Sequence, residues 1–496
     1  MSIAAELTTT RIAAHLRASV MTPISAMRLA YLPLLMVYFA YGALGLTAVA
    51  ESFWVKKALS LSATELSSLA VWLALPWAAK MVFGELVDTV PILGSQRRGY
   101  IFIGASLIAL SFVLLAAAAG GWFPGMKPDR LYVIASLIGV VGIVLQDVVA
   151  DAMTTEVVAT ANADGTARPR GEVEHDLAMV QILGRLAISL ATVLVAGLSG
   201  WLAAIYDAST VYLCGLIVPI ISVSGALLVR LSPPEGRPID WRILGGGLTL
   251  AAFVAAIGIF DVPFNQEITF VVSMVVVIMM LARVTAGIDP QVRSRIGYAA
   301  LIIFMFRAYP HIGEGYRWFT IDVLGFDEAF YGWLQQIGAI VTLVVAWVLS
   351  DAITRYRMTS VLMAFTLIGF VLNLPGILLV FEGHNWTLRT LGVGARSIAL
   401  IDTAAASPLD QLGMVPLLTL VAFYAPIRKR AVWFALMASF MNLALVASEL
   451  MTKYLNMIFV VERGNYQHLP ALTVTVTLLA LVMPLAAILT LRRHVN

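Results

Sequence analysis

Charge is scarce in this sequence. Only 12% of its 496 residues are Asp, Glu, Lys or Arg, about half the share of an ordinary soluble domain. That excludes the water-soluble enzyme classes. Cysteine is scarcer still: Cys214 stands alone in an apolar run, so no internal disulfide can form. No Cys/His cluster has metal-site spacing, and no glycine-rich loop is placed to cradle a phosphate. Neither a metal, nor another cofactor, nor catalysis is expected. The net charge of +3 is too small to point to nucleic acid. The first 28 residues lack the short apolar core and cleavage site of a secretory leader. With Arg11, Arg17 and Arg28 they read as a cytoplasmic N-terminal tail.

What the chain has instead is apolar length: 60% of it is hydrophobic. A helix that crosses a bilayer needs about 20 mostly apolar residues. Fourteen stretches qualify, near 29–50, 66–87, 99–119, 131–153, 178–200, 210–230, 243–260, 268–285, 296–312, 331–350, 360–381, 400–425, 431–460 and 470–491. The expected fold is therefore an all-α polytopic membrane protein embedded in the lipid bilayer. Lys and Arg concentrate in the connecting segments that face the cytoplasm if the N-terminus is inside. Both termini are then cytoplasmic, in a cell (inner) membrane.

A polar stretch, "RLSPPEGRPIDWR" (230–242), separates six spans from the rest. The next two spans are almost purely apolar, joined by "DVPFNQE", and carry no midspan charge. They read as an inserted hairpin. The division is a tail at 1–28, a six-helix bundle at 29–230, linker and hairpin at 231–295, and a second six-helix bundle at 296–496. A weak repeat supports it. "GELVDTVPILGSQRR" puts Asp88 at a helix end before Arg97 and Arg98, and "VLSDAITRYR" puts Asp351 before Arg355 and Arg357. Such acid-then-basic loops can form ion pairs that hold one conformation and release it in another.

An aspartate near the bilayer centre costs about 2.5–3.5 kcal/mol, so midspan charges single themselves out. Asp147 and Asp151 are four apart and share a helical face. Two close carboxyls out of water favour a shared proton, which suits proton-coupled transport. They can also accept a pair of hydrogen bonds from a solute, or simply pair with Arg185 or Lys80 and hold helices together. Lys80 sits inside the second span, and Arg185 shares a face with Gln181 and Ser189. "FRAYPHIGEGYRW" (306–318) places Arg307, His311 and Glu314 on one stripe, interrupted by Pro310, Gly313 and Gly315. Broken helices of this kind build solute sites in transporters. His311 could carry a coupling proton. Asp402 and Asp410 flank Pro408, and Glu449 and Lys453 are spaced to neutralise each other.

These stretches together resemble the folate-biopterin transporter family of the major facilitator superfamily. "WAAKMVFGELVDTVPILGSQRRGY" (77–100) is similar to its second-span signature, through Lys80, Gly84, Asp88, Pro91, Gly94, Arg97, Arg98 and Tyr100. "DVVADAMTTE" (147–156) resembles its fourth span and "VQILGRLAISL" (180–190) its fifth. "MVPLLTLVAFYAP" and "FALMASFMNLA" resemble its tenth and eleventh core spans. The sequence departs from the pattern after Pro426, where "IRKR" replaces the usual glutamate, and in its extra hairpin. The resemblance implies two six-helix bundles and a monomeric symporter. The solute would be a small organic anion, pterin or folate-like, moved with protons. Asp147, Asp151, Lys80, Arg185, Arg307, His311, Glu314 and Asp410 would bind solute or proton; Asp88, Arg97, Arg98, Asp351 and Arg355 would gate. Two alternatives stay open. The related muropeptide permeases share the "QD…DA" fourth span, and a non-transporting assembly factor could use the same fold.

Overall fold

The computed structural model describes residues 27–92, 94–95, 97–159, 161–162, 166–228, 241–260, 262–354, 358–423 and 430–495, some of the helical ones by backbone alone. Among these residues the secondary structure is helical, with three isolated β-bridges in the loops. The N-terminal helices are α1 (Leu32–Ala43), α2 (Ala48–Ala58), α3 (Ala63–Ala78), α4 (Lys80–Thr89), α5 (Arg98–Gly120), α6 (Pro128–Glu156), α7 (Arg170–Ile205), α8 (Ala208–Cys214) and α9 (Ile217–Leu228). A pair follows, α10 (Trp241–Ile259) and α11 (Asn265–Val284). The C-terminal helices are α12 (Pro290–Arg307), α13 (Glu314–Asp322), α14 (Glu328–Thr354), α15 (Met358–Leu372), α16 (Leu374–Val380), α17 (His384–Leu391), α18 (Ala395–Phe423), α19 (Arg430–Ile458) and α20 (Leu469–Val495).

Eight segments among the described residues are long and apolar enough to cross a membrane, from Leu29–Ala58 to Leu469–Val495. The other expected spans also fall on helices. The second is the instructive case. Pro76 inside α3 has no N–H to donate, and the helix stops two residues later. The chain turns at Ala79 and restarts as α4, with Lys80 as its first residue. The other end of α3 is set by Ser62, which accepts from the Glu65 N–H while Glu65 accepts from the Ser62 N–H, a reciprocal cap.

Outward faces are apolar, and the interior combines apolar cores with buried polar side chains. On α7, Leu190, Leu194, Leu198 and Trp201 form an exposed stripe. On α11, Val271, Val275, Ile278 and Met279 point out, while Gln266, Thr269 and Ser273 are buried. In lipid, exposed apolar side chains carry no penalty, and buried polar groups need partners within the protein.

The N-terminal helices pack mainly on one another, α5 on α6 and α7 and α9 on α1; so do the C-terminal ones, α14 on α18 and α12 and α15 on α20. Among the described residues, the two main seams between the groups are α3 against α19 and α7 against α14. At the second seam Gly200 and Gly332 face each other with backbones nearly touching. The α11 helix lies along the first seam and touches both α3 and α19.

Candidate functional site

The break between α3 and α4 aims Lys80 at α6. Its Nζ donates to Asp151 Oδ2 at 2.6 Å and also pairs with Asp147. The two aspartates share one face of α6, as their spacing requires, and a single lysine bridges both. The Tyr38 hydroxyl on α1 donates to Asp151 Oδ1 at 3.1 Å. Gln146, next in sequence, turns the other way and donates to the Ile101 carbonyl and to Ser222 Oγ. It ties α6 to α5 and α9, so the aspartates are held on a fixed helix.

The cluster is not sealed. The Asp151 side chain is 54% exposed, against 15% for Asp147 and 18% for Lys80. A small cavity lined by Tyr38, Tyr41, Gln146 and Asp147 opens beside it. Tyr41 meets Trp77 edge-on across α1 and α3, with ring centroids 6.2 Å apart. Asn442 on α19 donates to the Trp77 carbonyl, so a C-terminal helix closes onto this corner. Arg185 is exposed and close enough to Asp147 and Tyr38 to act on them electrostatically. The expected Arg185–aspartate ion pair is not formed: Lys80 takes both carboxylates, and among the described residues none lies within ion-pair distance of Arg185.

The stretch 306–318 is not one stripe. The first helix stops at Arg307, residues 308–313 run without helical structure, and α13 starts at Glu314 after Gly313, whose φ of +82° suits only glycine. The backbone groups freed by the break find partners on α19. Ser448 Oγ donates to the Tyr309 carbonyl, the His311 N–H donates to Thr452 Oγ1, and Asn456 donates to the Ile312 carbonyl. His311, 48% exposed, pairs through Nε2 with Glu449 at 2.9 Å. Glu449 and Lys453 therefore do not neutralise each other. Lys453 turns to Glu267 on α11. Glu314 pairs with Arg317 at 3.6 Å instead of joining His311, and Arg307 is half-buried at the end of α12.

Of the expected gating residues, Arg97 is buried and grips Glu156 on α6 while donating to the Val87 carbonyl. That interaction stays within the N-terminal group. Arg98 stacks over Phe102. The side chains of Asp88, Asp351 and Asp410, and the whole of Arg355, lie outside the described residues, as do most of the tail and most of the linker. Asp402 is half-buried on α18.

The sequence reading missed the contacts that join the two groups at one end of the molecule. Lys56 on α2 pairs with Asp322 at the end of α13, and Lys57 reaches Glu328 on α14. Asp322 also accepts from Tyr466, and Arg463 donates to the Val55 carbonyl while lying 4.3 Å over the Trp318 ring. Arg317 donates to Ser52 Oγ at 2.5 Å. The signal available was "WVKKALS", two lysines at the end of an apolar span.

Burial pushes the Asp322 carboxyl up, but hydrogen bonds from Lys56 and Tyr466, and the Lys56 charge, outweigh it and hold the group below its usual 3.8. A carboxyl lowered in the folded chain contributes stability above its ordinary value, lost as pH falls through the lowered one. The melting-temperature difference between the parent and Asp322→Asn is therefore expected to stay constant from about pH 8 to about pH 5 and to shrink only under more acid conditions. A difference that already vanished near neutral pH would contradict the assignment.

The sequence profile of the BT1 family matches residues 42–496. The chain belongs to the BT1 family. A relative named folate-biopterin transporter, from Synechocystis sp., is 25% identical over 459 residues, covering 92% of this chain and 80% of that protein. A probable folate-biopterin transporter 4 from Arabidopsis thaliana is 25% identical over 217 residues, covering 43% of this chain and 41% of its own length. Among solved structures, a peptide transporter (POT) with bound sulfate superposes with a TM-score of 0.63 at 15% identity, over 94% of each chain. This BT1 chain is thus a membrane transporter with a major-facilitator-like fold, built of helices on both sides of its two seams.

Proposed function

We propose that the chain is a proton-coupled secondary transporter that moves a folate- or pterin-like organic anion by alternating access. In this reading fourteen spans form a six-helix bundle at 29–230, an inserted hairpin within 231–295 and a second six-helix bundle at 296–496. The protein works as a monomer, with both termini cytoplasmic in the cell (inner) membrane. The end carrying the Lys56–Asp322 pair then faces outward and is closed, and the exposed Asp151, Arg185 and His311 face a cavity open to the cytoplasm.

The observation that carries the reading is the division of labour around α6. Lys80 is committed to two carboxylates, and Arg185 stands exposed beside them. An exposed cation that pairs with no carboxylate among the described residues is a site for a carboxylate of the solute. Asp151, half in water and bound by Tyr38, can accept the donor edge of a pterin ring or take the coupling proton. Tyr41 and Trp77 supply flat faces for a heteroaromatic ring. His311, paired to Glu449, is a second proton carrier. The relatives' names, folate-biopterin transporter, point to the same solute class.

The test is uptake of labelled folate and biopterin into proteoliposomes, with and without an inward proton gradient. Gradient-dependent uptake of either is expected. Arg185→Gln should raise KM about 10- to 100-fold, the worth of a charged hydrogen bond, and Arg185→Lys should keep part of the affinity. No uptake of either solute would remove the substrate assignment. Normal pH dependence in both Asp147→Asn and Asp151→Asn would remove the aspartates from the proton path.

A further inference from the structure

The inserted pair α10–α11 is the largest feature that the proposed cycle leaves unused. Its contacts are specific. Gln266, 2% exposed, lies on the first turn of α11. Its side-chain amide donates to the Ser68 carbonyl at 2.9 Å and to Ser68 Oγ at 2.6 Å, both on α3. Its amide oxygen accepts from Lys453 Nζ on α19 at 3.0 Å. One buried side chain thus bonds to both sides of the α3–α19 seam. Beside it, Glu267 accepts from Lys453 at 2.9 Å and from the Tyr454 hydroxyl at 2.6 Å, which anchors α11 to α19. One turn further on, Phe270 packs against the apolar core of the seam, formed by Val71 and Leu75 of α3 with Val446 and Leu450 of α19.

These bonds lie at the same end of the molecule as the Lys56–Asp322 pair, near the start of α3 and the end of α19. A hydrogen bond is lost once its atoms part by more than about half an ångström beyond contact. A hairpin that only filled space would need no polar group bonded to both neighbours.

We propose that the hairpin is a strap over this end of the α3–α19 seam, and that Gln266 must release Ser68 before the end can open. The hairpin stays with α19 through Glu267, so the Gln266–Ser68 contact is the one that breaks. The inference rests on the alternating-access reading for its purpose, but its test reads geometry and does not depend on the solute.

Cys214 is the chain's single cysteine and is exposed, so a Cys214→Ser background frees the protein for spin labels. Labels at Lys127→Cys and Gln467→Cys, in exposed loops of the two groups at this end, report its opening by electron–electron double resonance in nanodiscs. The background protein should show mainly the short, closed distance. Gln266→Leu removes the bonds to both sides and should raise the open-to-closed ratio about tenfold. Gln266→Glu keeps its shape and the Lys453 partner but cannot donate to the Ser68 carbonyl, and should shift the same way. Where Gln266→Leu fails to fold, the near-isosteric Gln266→Glu carries the test. Unchanged distance distributions in every variant that elutes as folded monomer would overturn the strap. Absent folate or biopterin uptake would remove the substrate reading and leave this result standing.

Discussion

Gly200→Val is expected to abolish transport by holding the α7–α14 seam apart. A Cβ at Gly200 would stand 2.4 Å from the Gly332 Cα and 2.7 Å from the Glu328 carbonyl oxygen. Both are backbone atoms of α14, so no rotamer change relieves the overlap, and the helices themselves must separate. Gln336 sits one turn along the same seam and accepts the Gly197 N–H at 2.8 Å, a bond that the separation would strain too. The clash lies near the end closed by Lys56–Asp322. A transporter that must close this end in every cycle would stall, with solute uptake falling below about a tenth of the parent rate. Gly332→Ala is milder, since its Cβ would meet the Gly200 Cα at 2.8 Å. The expected order of uptake is parent, then Gly332→Ala, then Gly200→Val. Overpacking costs about 1–3 kcal/mol, so the melting temperature is measured alongside to separate a stalled protein from an unfolded one. Full uptake by a folded Gly200→Val protein would show that this seam does not need to close tightly.

Much of this architecture could be read from the residues, and the reasons for the exceptions are physical. Apolar length located the helices because lipid tolerates little else. Spacing put Asp147 and Asp151 on one face because helix geometry is local. Which cation they would meet was not local. Arg185 is on the next span in sequence, but Lys80 wins because Pro76 breaks the second span and sets the lysine at the start of a new helix. The self-paired reading of Glu449 and Lys453 failed for a related reason. Side chains on one face of α19 each find a closer partner on another element, His311 for one and Glu267 for the other. The cross-seam bonds of Lys56 and Gln266 depend on helices more than two hundred residues apart for the first and nearly as far for the second. A single sequence carries no period or motif for such pairings.

Lys80→Met should be the most damaging single change in the α6 cluster. Methionine keeps much of the stem's volume and removes the charge, so packing changes little. Two carboxylates that now share one ammonium would face each other with Tyr38 as the near neighbour. Breaking a buried pair costs about 3–5 kcal/mol. The half-exposed Asp151 can keep part of its hydration, and one carboxyl can take a proton, so the lower end of that range is expected. Loss of uptake should exceed the loss of stability, because a protonated pair no longer cycles its proton. The double change Lys80→Met with Asp147→Asn separates the two roles. It removes the charge and its nearest counter-charge together, and the melting temperature should recover most of the way to the parent value. Gradient-driven uptake should not recover, since proton carrier and balancing cation are both gone. If the double variant regained uptake with its stability, the cluster would be a strut between α4 and α6, and the coupling proton would have to be sought at His311 and Glu449.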